Sequence, residues 1–368
     1  MIRKNILCLG LLIITILLII SCKKNTEDQT ISIGVVLPLT GIASIHGNNE
    51  REGINLAIKE INENGGINGR QVNVIYEDDQ SEPTKTVTAI QKLIDVDNTK
   101  IIIGATWDIL ANAVIPVIDK RKVVLLSPSA LPDTTTASSP YFFSVHSPVA
   151  INEKVIEKYI KDNDIKTVGI LVVNNPWGVA HLNTFKKAVE ATNISLLKEI
   201  KLQNFDNNDL SAELTLLKDL NLDAIFITIN FNDAALFVRK RVELDLKSKI
   251  LAHDNIASAI RNGRVTAENA DGITLFSFNE PSEEFAERFY KEYNKKPAIY
   301  HDTSYDAVYA IKSAIEKYGY DSTDNIVKGL HEIKFSGASG EVYFGDNNYP
   351  SNKQPFLQII KDGEFSKI

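Results

Sequence analysis

Apolar residues recur along this chain with two alternating periods. Ile54, Ala57, Ile58 and Ile61 fall at i, i+3, i+4 and i+7, and Val87, Ile90 and Ile94 continue that spacing; each set places one apolar stripe on a helix. Leu182, Phe185 and Val189, then Leu210, Leu214 and Leu217, give two more helical spacings. Between these lie short runs without polar alternation: Ile101–Ile103, Val123–Leu126, Val168–Val173, Ala224–Ile229 and Ile250–Ala252. Strands that are apolar throughout are buried on both faces, so the pattern predicts an α/β protein with mainly parallel sheets. A different run comes first, from Ile6 to Ile20, behind Arg3 and Lys4 and ahead of Ser21-Cys22-Lys23. It is short for a membrane span and has the charge, apolar core and small residue of a secretory signal.

Three segments follow one another between Ile33 and Ser81: Ile33-Gly34-Val35-Val36-Leu37-Pro38-Leu39-Thr40-Gly41, Glu60-Ile61-Asn62-Glu63-Asn64-Gly65-Gly66-Ile67-Asn68-Gly69-Arg70, and Glu77-Asp78-Asp79-Gln80-Ser81. Strand, amphipathic helix, Gly-rich turn and acid-ended strand make a βαβ unit, whose functional loops lie at the strands' carboxyl ends. The block resembles the start of the mature chain in the type I periplasmic solute-binding proteins, the leucine/isoleucine/valine-receptor and amide-receptor group. The likeness is strongest over residues 31–131 and becomes one of element order after about residue 165. It implies two lobes, each a mainly parallel sheet flanked by helices, joined by three hinge crossings. Lobe one is expected from 31–146 and 279–335, lobe two from 147–278 and 336–368. Ser138-Ser139-Pro140 and Ser147-Pro148 break the pattern around the first crossing, near His146; the others are expected at Ser277-Phe278 and between Lys334 and Ser339.

The resemblance also implies a role. An extracytoplasmic solute-binding lipoprotein of an ABC importer would close its lobes on a small amino-acid-like, amide or amine ligand, then meet permease and ATPase subunits. A ligand sensor, or a regulator of an envelope enzyme, is the alternative use of the same fold. Ile19-Ile20-Ser21-Cys22 resembles a lipobox, implying a signal peptide over 1–21, a lipid on Cys22 and a polar tether over 22–30. More than one acyl chain there would hold the protein at a membrane surface.

Composition narrows the chemistry. The two cysteines are Cys8, inside the signal, and Cys22, so the mature body has no thiol for a disulfide, a thiolate metal site or a nucleophile. Loss of Arg3 and Lys4 with the signal takes the net charge from −7 to −9, and no basic stripe offers a surface for nucleic acid. His46, His146, His181, His253, His301 and His331 show no paired metal-ligand spacing. Gly65-Gly66-Ile67-Asn68-Gly69-Arg70 lacks the Walker spacing and leads into a strand, where a phosphate loop leads into a helix. The expectation is a binding protein without catalytic residues, cofactor or metal.

Candidate ligand contacts come from the strand-to-helix turns. Trp107 follows strand 101–103, and Trp177 follows strand 168–173 in the other half, so both indoles are expected on carboxyl-end loops, either walling the cleft or covering their own lobes. The resemblance adds positions. Relatives place a ligand-binding hydroxyl four residues after the glycine of strand three, where this chain has Asp108, and another four after the serine closing strand four. Ser127 and Ser129 match that turn, but the last position is Leu131, and a shifted alignment brings in Thr106. Asp108 either caps the following helix or, by occupying its first amides, repels a ligand carboxylate and favours a neutral or cationic ligand. Asp254 matches an acid that pairs with a ligand ammonium, and His46 an aromatic over the ligand. Asn230 is a further polar candidate, and Tyr305 is placed at the hinge or in helix packing.

Overall fold

A computed structural model describes residues 30–203, 209–277, 280–350 and 355–368. The expected signal peptide, Cys22, the tether apart from Thr30, and Phe278 lie outside the described residues. Among the described residues no helix is long and apolar enough to cross a membrane.

The chain first builds β1 (Thr30–Leu37), α1 (Ser44–Glu63), β2 (Gln71–Asp78), α2 (Pro83–Asp95), β3 (Ile101–Gly104), α3 (Asp108–Arg121), β4 (Val124–Ser127), the single turn α4 (Asp133–Thr136) and β5 (Phe142–Ser144). It continues with α5 (Glu153–Asp162), β6 (Thr167–Val173), α6 (Pro176–Thr192), β7 (Ser195–Leu202), α7 (Ser211–Asp219), β8 (Ala224–Thr228), α8 (Phe231–Glu243), β9 (Lys249–His253), α9 (Asn255–Arg261) and β10 (Ile273–Ser277). Then come α10 (Glu283–Tyr293), α11 (His301–Tyr318), α12 (Thr323–Glu332), the hairpin β11 (Lys334–Gly337) and β12 (Gly340–Tyr343), and finally β13 (Phe356–Lys361) and β14 (Glu364–Lys367). Sheet one runs β2-β1-β3-β4-β5, all parallel. Sheet two runs β14-β13-β10-β9-β8-β6-β7, parallel except for the antiparallel β13 and β14.

The apolar strands divide their side chains between two cores on each sheet. Ile31, Ile33, Val35 and Leu37 of β1 pack with Ile54 and Ala57 of α1 and with Val308 and Ile311 of α11. Val36 points the other way, against Ile90 and Leu93 of α2 and Val114 of α3. In lobe two Ile225, Ile227 and Leu171 meet α7 and α8, whereas Val168, Ile170, Val172 and Phe226 meet α5 and α6. This period of two is what a strand covered on both faces requires. Phe185, Phe226 and Phe276 are fully buried, each contributing roughly 1.5–3 kcal/mol of apolar burial.

The last crossing departs from expectation. Ile333, Ala338, Val342 and Phe344 pack into the core of lobe one, and Asp306 of α11 accepts the amides of Ala338 and Ser339, both at 2.7 Å. The Ser144 amide donates to the Asn348 carbonyl. The hairpin therefore stays with lobe one through Asn348, and the chain reaches sheet two only at β13. A crossing between Lys334 and Ser339 would leave this apolar hairpin without its core.

The acids that end β2 position a loop. Asp78 accepts hydrogen bonds from the amides of Leu39, Thr40 and Gln80 and from the Thr40 hydroxyl, at 2.7 to 3.2 Å. Ser81 Oγ accepts the Ala43 amide at 3.0 Å. Together they fix the β1–α1 connection. Gly104, at φ +140°, lets β3 lie against β1, because a Cβ there would stand 1.8 Å from the Val36 carbonyl oxygen.

Candidate ligand-binding cleft

Strand order reverses between β1 and β3 in sheet one and between β6 and β8 in sheet two. Open α/β sheets bind ligands at such reversals, beyond the strands' carboxyl ends. Here the two reversals face each other. The loops after β1 and β3 supply Ile42, Ala43, Trp107 and Asp108, the turn before α11 supplies Tyr300, and lobe two supplies Asn175, Trp177, Asn230, Phe231 and His253. The space between them is about 680 Å³ when the open solvent at its mouth is counted.

On the lobe-one wall the indole Nε1–H of Trp107 donates to His46 Nδ1 at 3.1 Å. A neutral His46 then carries its proton on Nε2, which is buried and has no hydrogen-bond partner. Burial pulls its pKa down to about 4, with Asp254 across the cleft opposing the shift and His253 adding to it. The ring also stands edge-on to Tyr300, 5.3 Å between centroids. Tyr300 holds φ +71°, a left-handed conformation uncommon for a bulky residue, and strain of this kind concentrates at functional sites.

On the lobe-two wall Trp177 stands edge-on to His181 and to His253, 4.9 Å from each. His181 is fully buried with neither ring nitrogen partnered, and burial, followed by the neighbouring His253 and His146, keeps its pKa well below the ordinary value. Asn230 and Asp254 occupy the N-cap positions of α8 and α9, yet neither side chain makes a capping bond. Asn230 Nδ2 is buried without a hydrogen-bond partner, and Asp254 lines the adjoining cavity with His146 and Tyr300. Asp254 Oδ1 lies 3.0 Å from His253 Nδ1, which also sits 3.3 Å from the Asn255 amide; the position of the His253 proton decides which contact forms. Burial alone would raise the Asp254 pKa, but the charge and hydrogen bonding of His253 outweigh it and hold the carboxyl below its ordinary range.

Asp108 joins the walls. It is the first residue of α3, and the cap position falls on Trp107, one residue before the position expected. Its Oδ2 accepts the Trp177 amide of α6 in the opposite lobe at 3.0 Å. Burial raises its pKa, and the amides of Ile109 and Trp177 pull it back.

Three expected contacts lie elsewhere. Ser127 Oγ donates to the Ala105 carbonyl and accepts the Ser129 amide, so its hydroxyl is engaged inside lobe one. Ser129 Oγ and Thr106 Oγ1 donate to Glu50, at 2.9 and 2.8 Å. Tyr305 stacks on Tyr309, packs against Phe285 and donates to Glu60, because α11 turns that face toward α1 and α10 and away from the cleft.

Glu50 and Tyr300 escaped the sequence reading. Glu50 is completely buried behind the lobe-one wall, and burial lifts its pKa to about 8. It stands four residues before Ile54 and seven before Ala57, on the apolar stripe of α1. That position was the available signal. Tyr300 lies in an irregular turn, where no periodicity marks a buried ring.

Residues 30–364 match the family model described as periplasmic binding protein. The Leu/Ile/Val-binding protein homolog 3 of Brucella melitensis biotype 1 is 26% identical over 335 residues, 87% of this chain and 89% of that protein. The crystal structure of a leucine-binding protein from Thermotoga maritima MSB8 superposes with TM-score 0.82 at 25% identity, covering 92% of this chain and 97% of that one. A solute-binding protein of an ABC transporter from Rhodopseudomonas palustris BisB5, solved with 3,4-dihydroxybenzoic acid, gives TM-score 0.84 at 23% identity, covering 92% and 96%. The last is a likeness of fold.

Proposed function

The chain belongs to the type I periplasmic binding protein family, and from that premise we propose that it captures a small amide, amine or amino-acid-like solute between its lobes for an ABC importer. Its homologues are solute-binding proteins, not enzymes, and the family works outside the cytoplasm. Permease and ATPase subunits would receive the closed, loaded form, and a lipid on Cys22 would keep the protein beside them. Closure about the three lobe crossings brings the walls together on the ligand.

One observation carries this reading. Two strand-order reversals meet at one space with an indole from each lobe, and His46 Nε2 and Asn230 Nδ2 are buried there without a hydrogen-bond partner. Buried polar groups of this kind are costly, about 1–3 kcal/mol each. A ligand offering acceptors to these two nitrogens removes that cost, and the carbonyl oxygen of an amide or amino acid supplies one. The indole faces favour a flat or apolar remainder.

Thermal-shift screening against amino acids, amides, amines, nucleosides and small sugars tests the proposal. A ligand at one hundred times its Kd stabilises the folded state by about 2.7 kcal/mol, so hits are expected among amides and amines. Stabilisation by sugars or nucleosides alone would contradict the assignment.

A further inference from the structure

The first-turn amides of α6 can be followed one by one. Pro176 has no N–H, Gly178 donates to the Asn175 side chain at 2.7 Å, and Val179 donates to the Asn175 carbonyl at 2.9 Å. The Trp177 amide is satisfied by Asp108 of the other lobe. Asp108 itself begins α3, a helix of 14 residues, and α6 has 17. One carboxylate therefore sits where the positive ends of two helices, one from each lobe, converge beside the ligand space. Such a convergence would otherwise bind an anion.

We propose that Asp108 is the charge-selecting residue of the cleft: its carboxylate fills the meeting point of the α3 and α6 N-termini, refuses ligand carboxylates there, and latches the two lobes through the Trp177 amide. The selecting half rests on the cleft being the ligand site; the latch does not. A ligand carboxylate reaching this point meets a like charge in place of free amides, whereas a carboxamide or ammonium meets none of that repulsion. Closure, meanwhile, completes the hydrogen bonding of α6, which the open form leaves to water.

The two roles separate by substitution. Asp108→Asn keeps an acceptor for the Trp177 amide and removes the charge, while Asp108→Ala removes both. Binding is measured on the full-length chain with two isosteric pairs, benzoate with benzamide and L-leucine with L-leucinamide, alongside the distance between spin labels on the two lobes without ligand. Folding of each variant is checked by circular dichroism. In the parent protein the amide of at least one pair should bind tenfold or more tightly than its carboxylate. Both variants should shift that ratio at least tenfold toward the carboxylate, and only Asp108→Ala should lengthen the ligand-free distance distribution. An unchanged ratio, or no binding of any probe by parent and variants, overturns charge selection. A distance distribution unaltered in Asp108→Ala overturns the latch. If a screening hit binds in the cleft with an affinity indifferent to both substitutions, the capture reading stands and this proposal fails. If the latch distance responds while no solute in the screen binds, the capture reading is what fails.

Discussion

Glu50→Gln tests the buried carboxyl behind the lobe-one wall. Glu50 has no exposed surface, and among the described residues its oxygens accept hydrogen bonds from the hydroxyls of Thr106 and Ser129. Burial is the leading cause that lifts its pKa from the ordinary 4.5 to about 8. Below about pH 4.5 the folded and unfolded chains both hold the proton, and above about pH 8 neither does. Between those limits the folded state keeps a proton that the unfolded state has released, so stability falls as pH rises and stays low above the window. At about 1.4 kcal/mol per decade of proton affinity, the full change is on the order of 5 kcal/mol. When protonated, Glu50 turns one oxygen into a donor, and either Thr106 or Ser129 must accept from it. Glutamine has nearly the same shape, keeps a donor and an acceptor, and does not titrate. Urea denaturation of both proteins at pH 4.5 and pH 8.5 should show the parent losing most of that 5 kcal/mol relative to the variant. Asp79, lifted by burial to about 6, titrates in both proteins and cancels in the comparison. Parallel stability profiles, differing by less than about 1 kcal/mol across the range, would refute the reasoning.

Other expected outcomes follow from the same geometry. Gly104→Ala places a Cβ 1.8 Å from the Val36 oxygen at φ +140°; a loss above roughly 3 kcal/mol is expected, and an unshifted melting temperature would contradict it. Asp78→Ala removes the acceptor for three amides and a hydroxyl. Faster hydrogen exchange at Leu39, Thr40 and Gln80 should accompany a loss of about 1–3 kcal/mol, and unchanged exchange would show that the loop is held otherwise. His46, lowered by burial to about 4, should stay neutral through pH 5 when its ring is followed by NMR. Its stabilisation is lost as pH falls below 6.5 toward 4, since only the unfolded chain takes up the proton readily in that range; a midpoint near 6.5 would place His46 in water.

The fold was largely legible because strands buried on both faces have nothing polar to hide their pattern. Ile101–Ile103 and Ala224–Ile229 announce their environment directly, and the βαβ block around Gly65-Gly66 supplies the order. The hairpin at 334–343 is less legible. Lys334, Ser336 and Glu341 alternate with Phe335 and Val342, which describes a strand pair but not the core it covers. The indoles and Asn230 line the space between the lobes because turns after parallel strands have a known destination. Ser127, Ser129 and Tyr305 went astray for a common reason: a turn or helix start identifies the residue, while the direction of its hydroxyl depends on partners far away in sequence. For Ser129 the partner is Glu50, 79 residues away. Asp108 shows the same limit, since its strongest consequence is a bond to Trp177, 69 residues on and in the other lobe.

Capture of a solute between the lobes is tested most directly by calorimetric titration of a screening hit against the parent protein and against Trp177→Ala and Asp254→Asn. Loss of an indole wall or of the buried carboxylate should each weaken binding at least tenfold, about 1.4 kcal/mol or more. Binding of the hit with unaltered affinity and enthalpy in both variants would contradict the placement of the ligand in this cleft.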